Sequence, residues 1–146
     1  IAHRQGLSVL LDRLEDLGIP MAVATSTDRE GAIWKLERAG ILGRFSALAC
    51  GNEVAAGKPA PDIFLLAARR LGIDPACCVG FEDSPAGIRG LSAAGIKSVF
   101  VKDLVEPPEE VQRTVWRRCG DLAEAARLFR PAGLLHEVDA PLGAEP

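Results

Sequence analysis

The chain has 146 residues with 48% hydrophobic and 25% charged positions, and a net charge of −3 at pH 7. That is one domain's worth of chain, able to bury roughly 70% of its unfolded surface. The mild acidity gives no reason to expect nucleic acid or an anionic membrane as partner, and no apolar run nears the ~20 residues of a membrane-spanning helix.

The chain opens at Ile1 rather than at methionine and runs within a few residues into a helix. An upstream segment is therefore expected to lie outside it. Leu7, Leu10, Leu11, Leu14 and Leu17 form a stripe of period 3.6, and Gly18 is its stop. After Pro20 comes a short apolar run, Met21 to Ala24, which ends at Thr25-Ser26-Thr27. Thr27 with Glu30 reads as a capping box for the next helix, which carries Ile33, Leu36 and Ala39 and stops at Gly40. Thr25 and Ser26 thus stand between a strand end and a helix N-terminus, where hydroxyls and free N–H groups favour a phosphate. A plain turn would use the same residue types.

Phe45 to Ala49 reads as a second strand, followed by a loop from Gly51 to Pro61. Prolines stiffen that loop around Lys58, in Gly57-Lys58-Pro59-Ala60-Pro61-Asp62. A lysine so placed can bring a point charge to a phosphate, or it can simply be solvated. Ile63, Leu66, Ala67 and Leu71 supply the next helix's apolar face, and Gly72 to Pro75 turns the chain into a third strand, Cys77 to Phe81.

That strand ends in two adjacent carboxylates, Glu82 and Asp83, and a helix begins at once with Ser84 as N-cap and Pro85 at its first position. Ile88, Leu91 and Ala94 hold helical spacing up to Gly95. Residues at the carboxyl edge of a parallel sheet are where open α/β folds bind ligands. Two carboxylates this close repel unless a cation or proton lies between them, and oxygen donors without histidine suit Mg²⁺. The alternative is that Asp83 helps cap the helix and Glu82 is solvated.

Ser98 to Val101 is a further strand, Glu106 to Glu110 a polar connection, and Val115-Trp116 a candidate edge strand. Asp121, with Glu124 completing a second box, caps a last helix through Leu122, Ala125, Ala126 and Phe129. Residues 1–129 are expected to form an α/β core and 130–146 a loosely held C-terminal tail. Strands alternating with helices mean a doubly wound parallel sheet. Cys50, Cys77, Cys78 and Cys119 lack C-x-x-C spacing and are expected as reduced core thiols of a cytoplasmic protein. His3 and His136 lie near opposite ends and suggest no site.

As a set, Thr25 after its apolar run, Lys58 in its proline loop, and Glu82-Asp83 in Gly80-Phe81-Glu82-Asp83-Ser84-Pro85-Ala86-Gly87-Ile88 resemble the haloacid dehalogenase superfamily. The likeness is to its β-phosphoglucomutase-like phosphatase and mutase branch and runs from about Gln5 to Phe129. It implies a Rossmannoid core in which the Thr25 hydroxyl and Ser26 bind a phosphoryl group and Lys58 neutralises its charge. Glu82 and Asp83 would hold Mg²⁺ against the same group. The reaction implied is hydrolysis of a small phosphorylated metabolite through an aspartyl phosphate.

The chain departs from that family at its first motif. No D-x-D occurs in it, so the nucleophilic Asp and the acid/base Asp are expected outside the chain, with the helical cap that selects substrate. Ile1 to Arg4 reads as the point where that cap returns to the core. In the family the first-motif strand lies between the strands ending at Thr25 and Glu82. An upstream segment or a second chain is therefore expected to complete the sheet; otherwise the two strands pair directly and distort the site. A sugar phosphomutase, or a non-catalytic protein that binds phosphate and Mg²⁺, are the alternative functions.

Overall fold

The computed structural model describes residues 6–102, 107–130 and 133–134. Helix α1 (Leu7–Asp16) buries Leu10, Leu11 and Leu14, as the stripe requires, and the chain leaves it through Gly18 at φ +70°. Strand β1 (Ala22–Thr25) leads to α2 (Arg29–Arg38), whose N-cap is Asp28, accepting from Gly31 N at 2.8 Å. The expected cap, Thr27, is still loop: its N–H donates to Thr25 Oγ1 and its carbonyl accepts from Gly51 N. Strand β2 (Ala47–Cys50) and α3 (Asp62–Leu71) follow, the helix ending at Gly72 in the left-handed region.

Strand β3 (Val79–Glu82) begins two residues later than expected. Asp74 Oδ1 accepts from Ala76 N at 2.8 Å and winds Pro75–Cys77 into a short 3-10 turn. That turn leaves Cys77 exposed, so it is not a core thiol, while Cys78 is half-buried against the cluster of Ala49, Ile63 and Leu91. Cys50 and Cys119 are buried, all four are unbridged, and burial pushes the Cys119 thiol up to about 11. Helix α4 (Pro85–Ala94) starts as expected, with Ser84 Oγ accepting from Gly87 N at 3.0 Å.

Beyond it run β4 (Lys97–Val101), the single turn α5 (Glu109–Gln112), β5 (Arg117–Cys119) and the single turn α6 (Leu122–Ala125). The edge strand is two residues later than expected because Val115 turns inward, packing with Ile88, Phe100 and Val111. Asp121 caps α6 as expected, but Glu124 reaches back to Gly120 N rather than to Asp121. The last helix is shorter than its apolar pattern suggests, and a two-residue strand β6 (Phe129–Arg130) pairs antiparallel with β7 (Gly133–Leu134). The core boundary drawn after Phe129 falls inside β6, while residues 135–146, His136 and the Ile1 to Arg4 segment lie outside the described residues.

Strand β1 pairs in parallel with β2, Thr25 opposite Cys50, and β4 stands between parallel neighbours β3 and β5. Helices α1 and α6 pack with Val99, Val101 and Phe129 in one cluster, while α3 and α4 pack in another with Ala49 and Ile96. This is the expected α/β arrangement of parallel strands and covering helices. The two parallel sheets are not joined: among the described residues, no strand pairs with the free edge of β1 or of β3. An apolar cavity of about 510 Å³ lies there, lined by Ala22 and Ala24 of β1, Val79 and Phe81 of β3, Leu14 and Phe64. Direct pairing of β1 with β3, one of the two expected outcomes, does not occur.

Candidate functional site

Glu82 is the last residue of β3, and its side chain bends back over the start of α4. Its Oε1 accepts from Ser84 Oγ at 3.3 Å, and its carboxylate lies so close to Gly87 that a Cβ at that position would overlap it. Glycine at 87 thus makes room for the carboxylate at a helix N-terminus, where the backbone dipole favours negative charge. From the loop after β2, Lys58 Nζ donates to Glu82 Oε2 at 2.7 Å. The two side chains are only 16% and 10% exposed, so this is a shielded ion pair and not a solvated lysine. Removing one partner of such a pair leaves an uncompensated charge. Lys58 Nζ also lies 5.2 Å from the centroid of the Phe64 ring, whose π face favours the cation.

Asp83 is half-buried in the two-residue link between β3 and α4. Thr25 stands at the end of β1, level with Cys50 at the end of β2, so the loop bearing Thr25 and the loop leading to Lys58 leave the sheet side by side. Thr25 Oγ1 accepts from Thr27 N at 3.1 Å, which leaves its hydroxyl proton free to donate elsewhere. Ser26 is exposed. The structure therefore brings Lys58 and Glu82 into direct contact and sets Thr25 and Ser26 at a strand end on the other side of the cavity that β3 lines.

Among the described residues, no three or more His, Cys, Asp or Glu side chains gather as a metal cage. At the end of β3, Glu82 and Asp83 offer hard carboxylate oxygens. That donor set fits Mg²⁺, which keeps several waters and is bound through one or two carboxylates and a substrate phosphate. It does not fit Zn²⁺, which takes sulfur and nitrogen ligands in closed four-coordinate sites.

Sequence reasoning missed the support beneath this edge. In the loop after β2, Glu53 accepts from Cys50 N and from Arg70 of α3, and Asn52 Oδ1 accepts from Arg29 N at the start of α2. The Arg70 guanidinium holds the Glu53 carboxyl below the usual carboxylate range. Nothing in the spacing of Asn52, Glu53 and Arg70 announces this, and only the fold shows Gly51 pressed against Ser26.

A family model of the haloacid dehalogenase-like hydrolases matches residues 2–95. The chain is 39% identical over 106 residues to the fructose-1-phosphate phosphatase YqaB of Escherichia coli, covering 65% of this chain and 56% of that protein. It is 38% identical over 96 residues to the β-phosphoglucomutase of Bacillus subtilis, covering 66% and 42%. The crystal structure of CbbY from Rhodobacter sphaeroides in complex with phosphate superposes with a TM-score of 0.75 at 31% identity, over 83% of this chain and 55% of that one. The chain spans about half the length of the curated relatives it matches.

Proposed function

Because this chain belongs to the haloacid dehalogenase-like hydrolase family, we propose that the protein is a Mg²⁺-dependent phosphatase acting on a small phosphorylated metabolite. The observation that carries the reading is the shielded Lys58–Glu82 pair at 2.7 Å, beside Asp83. Phosphoryl transfer asks little covalent work of a protein; it asks for charge fixed in advance around three phosphoryl oxygens. Lys58 supplies a compact positive charge for them, held in place by Glu82. Thr25 supplies a hydroxyl that accepts from Thr27 N and keeps its own proton to donate to a phosphoryl oxygen. Ser26 adds a second donor at the same strand end. Glu82 and Asp83 would hold Mg²⁺, which when bound offsets charge on the transferred group.

The nucleophile is assigned to an aspartate outside these 146 residues. Its attack would form an aspartyl phosphate as the ester P–O bond breaks and the alcohol leaves with a proton. Water would then hydrolyse that intermediate to release phosphate and restore the carboxylate. The cavity between β1 and β3 supports that assignment: it is apolar and bordered by two strand edges with which no strand of the described residues pairs. An extended segment preceding this chain, or a strand from a second chain, would satisfy both edges and carry the aspartate to the level of Thr25 and Glu82. A sugar phosphomutase is the second reading, favoured by the likeness to β-phosphoglucomutase.

The test is hydrolysis of p-nitrophenyl phosphate and a panel of sugar phosphates by the full-length protein, with Mg²⁺ and with EDTA. Turnover is expected with Mg²⁺ and is lost on chelation; Asp83→Ala abolishes it. Interconversion of sugar phosphate isomers without net phosphate release, followed by ³¹P NMR, would favour the mutase. An Asp83→Ala variant that kept both rate and metal dependence would remove the site assignment. Robust Mg²⁺-dependent hydrolysis by the 146-residue polypeptide alone would overturn the assignment of the nucleophile to an aspartate outside it.

A further inference from the structure

Gly51, Asn52 and Glu53 take no part in the chemistry proposed above, yet they are tied to both loops that do. Gly51 N donates to Thr27 O at 2.9 Å, and a Cβ on Gly51 would overlap the Ser26 carbonyl. Asn52 Oδ1 takes the Arg29 N–H at 3.0 Å, one of the orphan donors at the start of α2. Glu53 Oε1 accepts from Cys50 N at 3.0 Å and from Arg70 Nη1 at 2.8 Å, while Arg29 Nη1 comes within 3.4 Å of its Oε2. Arg70 Nη1 also donates to Leu48 O at 2.6 Å, within β2. One carboxylate thus joins α2, α3 and the end of β2, directly opposite Thr25 in the register. The chain that continues from it reaches Lys58 five residues later.

Energy alone does not account for this arrangement. The Glu53 and Arg70 side chains are 20% and 37% exposed, and ion pairs of that kind contribute little to stability. A fork of charge-assisted hydrogen bonds does restrict geometry. We propose that Glu53, with Arg70 and Arg29 around it, is a positioning residue. It holds the Thr25–Ser26 loop and the root of the Lys58 loop in one fixed relation, so that a single phosphate meets both. This rests on the reading of Thr25, Ser26 and Lys58 as phosphate-binding groups. Misplacement of such groups by about 1 Å is enough to cost on the order of 10²-fold in rate.

The experiment uses the full-length protein, calorimetric titration with inorganic phosphate in the presence of Mg²⁺, and thermal unfolding. Glu53→Gln is expected to weaken phosphate binding about 10-fold with little change in melting temperature. In a Thr25→Ala background the same substitution is expected to weaken phosphate binding by less than it does alone, because one of the groups whose placement it fixes is gone. A purely structural role would lower the melting temperature and leave the affinity of the folded protein alone, which would overturn the inference. If Thr25→Ala weakens phosphate binding and Glu53→Gln does not, the inference falls and the proposed function stands. If Thr25→Ala leaves phosphate affinity unchanged, the phosphate reading falls and takes the inference with it. Should Glu53→Gln fail to fold, Arg70→Ala decides in the same way, since it removes the 2.8 Å partner that holds the Glu53 carboxylate.

Discussion

Strands β3 and β4 pair residue for residue, from Val79 opposite Lys97 to Glu82 opposite Phe100, yet they differ in burial. Every residue of β4 after Lys97 is buried, with Val99 and Phe100 at 0% exposure; no residue of β3 is fully buried. The same contrast divides β2, buried from Leu48 to Cys50, from β1, half-buried throughout. Ala22-Val23-Ala24 and Val79-Gly80-Phe81 are as apolar as their partners, so composition is not the cause. Strand β4 has a neighbour on each edge, and β2 lies under α2 and α3. Strands β1 and β3 each present an edge and part of a face to the apolar cavity. The half-buried strands are also the ones that end in Thr25 and in Glu82. Burial is concentrated in β2 and β4, and the candidate chemistry sits at the ends of the incompletely covered pair, β1 and β3.

Substitution of matching aromatics breaks this contrast most sharply. Phe100→Ala, on β4, is expected to cost about 3–5 kcal/mol, as for a fully buried phenylalanine. Phe81→Ala, on β3, is expected to cost roughly half of that or less in the 146-residue chain, because one side of its ring already borders the cavity. Chemical denaturation of both variants measures the difference. If an added strand fills the slot in the full-length protein, the two costs converge there; equal costs in the isolated chain would remove the contrast.

The next effect is on function rather than stability. Lys58→Ala in the full-length protein is expected to lower kcat/KM for a phosphate ester by on the order of 10²-fold, about 2.7 kcal/mol. Steady-state kinetics check this. Near-normal turnover would mean that the shielded pair with Glu82 is structural only.

The smallest effect is electrostatic and belongs to the outer elements. Glu53 is held below its ordinary value by Arg70, and Glu15 on α1 by Arg44. A carboxyl lowered in the folded state contributes stability above its unfolded value of about 4.5, and that contribution is lost as pH falls through the folded value. Stability is therefore expected to be flat from neutral pH down to about 5 and to decline below that. Glu53→Gln is expected to reduce the acid slope, as read from denaturation midpoints across the range. A rise in stability on acidification would contradict the sign.

Several features could be read before any coordinates because they are settled within a few residues. Ser84 and Pro85 start α4, Gly18, Gly72 and Gly95 stop their helices, and the leucine stripe of α1 faces inward. The motifs around Thr25, Lys58 and Glu82-Asp83 pointed to the family because their order and loop context are specific together, although none is specific alone. Where local signals competed, the outcome depended on neighbours. Thr27 lost the cap of α2 to Asp28 because Gly51, from another loop, holds its carbonyl. Cys77 became exposed because Asp74 wound the residues before it into a turn. The Lys58–Glu82 contact joins residues 24 apart, and the Arg70–Glu53 contact joins two helically unrelated segments. Such distances follow from how α3 and α4 pack on the strands and from strand register. They are set by the summed burial of many side chains, which no short stretch of sequence contains. The open slot between β1 and β3 is the clearest case: both strands are legible as strands from a few apolar residues each, but whether their edges meet is a property of the whole sheet.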